Sequence, residues 1–170
     1  MASWKDNLVI HHLWAIFIII EMIILWFFSP PPSLLPIRLL EYFFWPIWIP
    51  AIILVAIPFY IFRKKGGVRK GESYVKTQNL VDSGVYRIIR HPQYTGGIWI
   101  SIAMVLPNQS RVIIILAALV VFSFGLTIFL EEESLIEKFG EEYRNYKKRT
   151  SSCSFLLGLS KLSIYKKNQN

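Results

Sequence analysis

Apolar residues along this chain gather into four runs, covering about residues 8–28, 39–62, 94–106 and 112–130. Three of these approach the roughly 20 residues that a helix needs to cross a bilayer, and the third is short. Pro30, Pro31 and Pro32 break the chain after the first run, since proline has no N–H to continue a helix. Pro46, Pro50 and Pro58 are expected to bend the second helix, which a membrane helix tolerates when its neighbours satisfy the freed carbonyls. Pro107, Asn108, Gln109 and Ser110 link the last two runs too tightly for anything but an antiparallel helical hairpin. The expected fold is all-α, an integral membrane bundle of four transmembrane helices with a cytoplasmic polar C-terminal helical segment. Residues 1–170 are read as one domain.

The polar residues collect in two blocks, 63–93 and 131–150. Within 131–149, Leu135, Phe139, Tyr143 and Tyr146 recur at spacings of three and four, an apolar face on a charged helix that continues the fourth run. Gly140 is its weak point and marks a kink or a break between two shorter helices. Beyond about Ser151 no periodicity emerges, and the chain has no internal repeat.

Composition fixes the setting. The 170 residues are 54% hydrophobic and 15% aromatic, yet the net charge is +8. Residues 63–93 hold eight lysines and arginines and residues 131–170 another eight, which with Lys5 makes 17 of the 19. Only Arg38 and Arg111 fall in the opposite loops, so both termini and the middle loop are expected in the cytoplasm. The implied partners are membrane lipids with anionic headgroups, not nucleic acid. Cys153, the single cysteine, excludes an internal disulfide framework, and no metal site is expected. The first run follows one basic residue, exceeds a signal h-region in length and lacks a small-residue cleavage site, so it reads as a retained span.

Two strings carry candidate chemistry. The first runs from Gly84 to Gly96 and sets Arg87, Arg90, His91 and two tyrosines, Tyr86 and Tyr94, just before the third helix. Pro92 suits that helix's first turn, whose N–H groups can hold an anion such as a carboxylate. Gly96 lets a backbone or a flat ligand come close. The second string opens with Glu131, Glu132 and Glu133, three carboxylates that repel one another and oppose the helix dipole. A nearby cation offsets that cost, with the arginines of the first string as candidates; so does a ligand's amino group or sugar hydroxyls. Glu133, Glu137, Glu141 and Glu142 read as solvated, and Arg63, Lys64, Lys65, Lys147, Lys148 and Arg149 as topology and headgroup anchors.

The pattern G-V-Y-R-x-x-R-H-P-x-Y-x-G, an apolar hairpin, and then E-E-x-S-L-I-x-x-F-G-x-x-Y-x-x-Y resembles the C-terminal half of isoprenylcysteine carboxyl methyltransferases. It is also similar to the related phospholipid methyltransferases. The resemblance covers about residues 77–149; the first two spans match only as generic membrane helices. It implies transfer of a methyl group from S-adenosylmethionine to a lipophilic acceptor entering from the bilayer: a prenylcysteine carboxylate, a phospholipid amine or a thiol. Cofactor-site segments are implied at 77–96 and 127–149. By position, Gln78, Asn79, Leu80 and Val81 would line the cofactor largely through backbone. Tyr86, His91, Pro92, Gln93 and Tyr94 would complete that wall, and Glu131 would hold the cofactor from the other string. Carboxylate-methylating members tend to carry an arginine one turn before that glutamate. This chain has Thr127 there, so Arg87 and Arg90 become acceptor-orienting candidates beside Thr127. The proline-rich ending usual after the second tyrosine is replaced here by Thr150, Ser151, Ser152 and Cys153.

Two other classes compete. Glu21 is ionisable and lies inside a span, a functional candidate by default, and four short helices with one such glutamate resemble small multidrug transporters. Those are nearly loopless, unlike this chain. NADPH-dependent sterol-type reductases share Arg-His-Pro-x-Tyr-x-Gly but have more spans and a different C-terminal pattern.

Overall fold

A computed structural model describes residues 8–27, 38–66 and 79–167. Among these the chain forms α1 (Leu8–Phe27), α2 (Phe44–Lys65), α3 (Pro92–Val105), α4 (Arg111–Phe139), α5 (Glu141–Arg149) and α6 (Phe155–Lys167). Short 3-10 turns occupy Arg38–Phe43 and Gly84–Arg87. The only extended pairing among the described residues is a parallel bridge between Ile89 and Ser151.

Helix bounds depart from the apolar runs where backbone chemistry overrides them. The second run opens as a 3-10 turn, and α2 proper then passes Pro46, Pro50 and Pro58 as one continuous helix. Pro46 falls in its first turn, where a missing N–H costs little. The fourth run and its polar extension merge into the single 29-residue α4. Gly140 separates α4 from α5 with φ +57°, a left-handed conformation open to glycine. The tail after Ser151, unreadable by periodicity, folds as α6. Ser154 starts it: its carbonyl accepts from Gly158 N–H at 2.9 Å, and its hydroxyl from Leu157 N–H at 3.4 Å.

Arg38–Lys65 and Arg111–Phe139 are long and apolar enough to cross a membrane. Only 17% and 33% of their apolar windows lie buried inside the molecule, whereas the core helix of a soluble protein would be mostly covered. Trp26, Phe27, Tyr60, Phe122 and Phe129 are exposed, an arrangement suited to lipid.

The chain divides into two compact units, one made of residues 1–52 and 96–131 and the other of 53–95 and 132–170. In the first, Trp14 of α1 stacks on Phe124 of α4 with ring centroids 5.0 Å apart. A Cβ at Gly97 of α3 would overlap the Phe124 ring, so that glycine sets how closely α3 meets α4. The link between those helices is tied by its own side chains: Gln109 donates to the Leu106 carbonyl and Asn108 accepts from the Ser110 N–H. Glu21 of α1 is fully buried, with the Ser101 hydroxyl of α3 at 2.9 and 2.8 Å from its two oxygens. Its partner is thus another helix's polar group.

In the second unit, Tyr86 packs against Phe62 of α2, centroids 5.3 Å apart. Tyr143 and Tyr146 of α5 are buried, as their spacing predicts. A Cβ at Gly158 of α6 would run into the Ile88 carbonyl oxygen, so α6 rests directly on the backbone of the 84–91 segment.

Candidate active site

The second unit holds most of the residues singled out by sequence, and its geometry grows from one turn. Gly84, at φ +66°, opens the 3-10 turn that sends Tyr86 inward and leaves Arg87 exposed. The chain then runs extended beside 151–152. Arg90 N–H donates to the Ser151 carbonyl at 2.8 Å, His91 N–H to the Ser152 carbonyl at 3.1 Å, and Ser151 N–H to the Ile88 carbonyl at 3.1 Å. Pro92, lacking an N–H, starts α3 immediately after this clasp.

Arg90 fills the centre. Its Nε and Nη2 donate to Glu132 Oε1 at 3.0 and 2.7 Å. Its Nη1 donates to the Thr150 and Lys147 carbonyls at 2.8 and 3.3 Å, placing a cation at the C-terminal end of α5 where the helix dipole favours it. Glu132 Oε2 receives Lys147 Nζ at 2.6 Å, and His91 Nε2 stands 3.4 Å from Oε1. Burial alone would raise the Glu132 carboxyl. The hydrogen bonds from His91, Lys147 and Arg90, with the Arg90 charge, outweigh it and hold the group well below the usual carboxylate range. Tyr146 donates to the Tyr86 carbonyl at 2.6 Å, tying α5 to the turn. Burial, with Tyr143 alongside, pushes its hydroxyl above the usual phenol range, so it stays a donor.

The other sequence candidates take varied positions. Gln78 lies outside the described residues. Asn79 is exposed, Leu80 half-buried and Val81 buried. His91 is buried and lies nearly parallel to the partly exposed Tyr94 ring, 5.6 Å away. Pro92 is buried and Gln93 partly exposed. Glu131, one residue before Glu132 on α4, is half-buried. Thr127 is fully buried, and its hydroxyl donates to the Ser123 carbonyl one turn back at 2.9 Å. All three Arg90 nitrogens are engaged within the protein, whereas Arg87 has no side-chain partner among the described residues.

Sequence reasoning paired the arginines of one string with the glutamates of the other, and Arg90 meets Glu132 as it supposed. It missed Lys147 and Arg149, assigned to the headgroups: Lys147 binds Glu132, and Arg149 binds Asp82 at 2.6 Å. Their place on the last turn of α5, behind two inward tyrosines, was the available signal. Thr150 and Ser151 left none beyond standing where the proline-rich ending was expected. No group of three or more metal-ligating side chains exists among the described residues.

Long apolar helices with a polar clasp at Arg90 and Glu132 define a helical membrane-type protein. Residues 48–142 match the family model described as phospholipid methyltransferase. The chain is 36% identical over 136 residues to the protein-S-isoprenylcysteine O-methyltransferase of Mus musculus, covering 71% of this chain and 48% of that protein. The Homo sapiens protein of the same name is 35% identical over 136 residues, with the same 71% and 48% coverage. The methanethiol S-methyltransferase of Pseudomonas deceptionensis is 31% identical over 110 residues, covering 62% of this chain and 40% of that protein. The chain spans about half the length of the curated relatives it matches. No solved structure gives a significant match. The chain belongs to the phospholipid methyltransferase family and is isoprenylcysteine methyltransferase-like within it.

Proposed function

We propose that this chain transfers a methyl group from S-adenosylmethionine to a lipophilic acceptor reached from the bilayer, with its site at the cytoplasmic end of four membrane-crossing helices. The observation carrying this reading is the family match over residues 48–142, which includes the Arg90-His91-Pro92 string and the glutamate string. The relatives' printed names place their acceptors at a prenylcysteine oxygen and at a small thiol sulfur.

The residue types at these positions suit that cofactor. In this reading the half-buried Glu131 carboxylate takes ribose hydroxyls or an ammonium, the partly exposed Tyr94 ring lies alongside, and Arg87 meets a carboxylate. When bound, the sulfonium supplies its own activation. The protein's part is then alignment in a dry site, worth several orders of magnitude in effective concentration. In this reading the Arg90–Glu132–Lys147 clasp positions the binding wall without touching the ligand, and holds His91 and Tyr94 in register. A carboxylate or thiolate acceptor needs no general base and an ammonium acceptor must first lose a proton; in this reading His91 serves in the binding wall and is the candidate base only for an ammonium. Thr127 brings no charge to the acceptor, so an anionic acceptor in this reading relies on Arg87.

Calorimetric titration of the detergent-purified protein with S-adenosylhomocysteine tests the proposal, with NADPH in parallel. Saturable binding of the first, lost in Glu131→Gln at unchanged melting temperature, is expected. Binding of NADPH alone would move the chain to the reductase class.

A further inference from the structure

We propose that the cavity between the Gly84–Arg87 turn and α6 binds the phosphate of an anionic membrane lipid. The cavity measures about 300 Å³ and lies within the second unit. Arg87 and Arg149 both line it, together with Ser83 and Thr150 and with Leu162 and Tyr165 of α6.

Charge argues for an anion. Arg149 is paired with Asp82 at 2.6 Å, whereas Arg87 faces the cavity with no partner among the described residues. Two more cations stand behind the wall: Lys65 Nζ donates to Ser83 Oγ at 2.8 Å, and Lys161 Nζ to the Thr150 carbonyl at 3.1 Å. Because Ser83 Oγ accepts from Lys65, its own proton remains free to point at a ligand oxygen. The lining thus holds two arginines and one carboxylate, Asp82, with two lysines on its wall residues, and a phosphodiester supplies the missing negative charge. The Arg87 guanidinium can meet such an oxyanion through two parallel N–H groups.

The apolar side argues for a lipid over a soluble phosphate. On α6, Leu156, Leu157, Leu159 and Ile164 are 82%, 60%, 51% and 61% exposed, and Lys161 and Lys167 lie on the same helix. An exposed apolar helix that also carries lysines is what an anionic bilayer interface holds. A lipid seated at Arg87 would lay its acyl chains along Leu162 and beyond. This assignment shares Arg87 with the methyltransferase reading and competes with it for that guanidinium; it uses no other proposed cofactor contact.

The test is native mass spectrometry of the full chain in detergent, titrated with phosphatidylglycerol, phosphatidylcholine or soluble glycerol phosphate. Phosphatidylglycerol should be retained in preference to phosphatidylcholine, with glycerol phosphate unable to displace it. Arg87→Glu should lower the affinity read from the titration about tenfold, which is about 1.4 kcal/mol. Arg87→Gln, closer in size and uncharged, should lower it by less and is read if the first variant does not fold. Equal retention of both lipids, or undiminished occupancy in the folded Arg87 variants, would overturn the site. Displacement by glycerol phosphate would overturn the lipid assignment in favour of a soluble phosphate. Neither readout needs a methyl donor, so failure here is separable from failure of the methyltransferase reading.

Discussion

Each unit holds a carboxylate inside it, Glu21 fully buried and Glu132 partly so, and the two are satisfied in opposite ways. Glu21 meets a single hydroxyl, and that hydroxyl has one proton to give although it lies within 2.9 Å of both oxygens. Glu132 meets a guanidinium, an ammonium and an imidazole, and its principal partner Arg90 also satisfies two backbone carbonyls. In the apolar unit the carboxyl is one hydrogen-bonded contact between two helices. In the polar unit it is the hub on which the end of α4, all of α5 and the Arg90-His91 string converge. Removing a partner should therefore cost most where connections are many and charged.

Arg90→Ala tests this at its hub and should have the largest effect. It strands Glu132 and uncovers the Lys147 and Thr150 carbonyls; breaking a buried pair from one side costs about 3–5 kcal/mol. A steep fall in detergent melting temperature is expected, with Arg90→Lys intermediate because an ammonium cannot reproduce the fork. An Arg90→Ala protein that melts like the parent would show the clasp to be incidental.

Acid sharpens the same point. The Glu132 carboxyl is held below its unfolded value, so its contribution is fully present above the ordinary carboxylate range, about pH 4.3, and is lost as pH falls toward the folded value. The parent should lose melting temperature below about pH 4 more steeply than Glu132→Gln, which has no such group to protonate. Parallel acid profiles would mean that Glu132 is not the hub.

Glycines at the two helix contacts make a third comparison. At Gly158 a methyl group meets the Ile88 carbonyl, backbone that must move as a block, and Gly158→Ala should cost about 1–3 kcal/mol. At Gly97 the obstacle is the Phe124 ring, a side chain able to shift, so Gly97→Ala should cost less. Thermal melts of the two variants check the order.

Helical periodicity and charge made much of this legible in the sequence. Leu135, Phe139, Tyr143 and Tyr146 foretold the inward face of the α4 extension and α5, and Gly140 the break between them. The glutamate run announced that cations must be near, but not which carboxylate takes them. Glu131 and Glu132 are adjacent, about 100° apart on a helix, and only packing decides that Glu132 meets Arg90. Lys147 looked like a headgroup anchor because a lysine's reach hides its target in sequence. The α6 helix escaped because its exposed leucines follow no single face, and the serines 151, 152 and 154 show no periodicity while serving as bridge, carbonyl acceptor and cap.

The smallest expected effect lies at Glu21, where the comparison can be broken most cleanly. Glu21→Gln keeps an oxygen for the Ser101 hydroxyl at nearly the same volume, so stability should change by less than about 1 kcal/mol. Ser101→Ala instead removes the donor and leaves a fully buried carboxyl without it, at a cost of about 1–3 kcal/mol. The two variants melting in that order would make Glu21 a helix-to-helix contact whose hydrogen bond matters and whose charge does not. If Glu21→Gln instead melted normally but abolished methyl transfer in reconstituted membranes, the apolar unit's carboxylate would be a functional group in its own right. The contrast with Glu132 would then be one of task and not of packing.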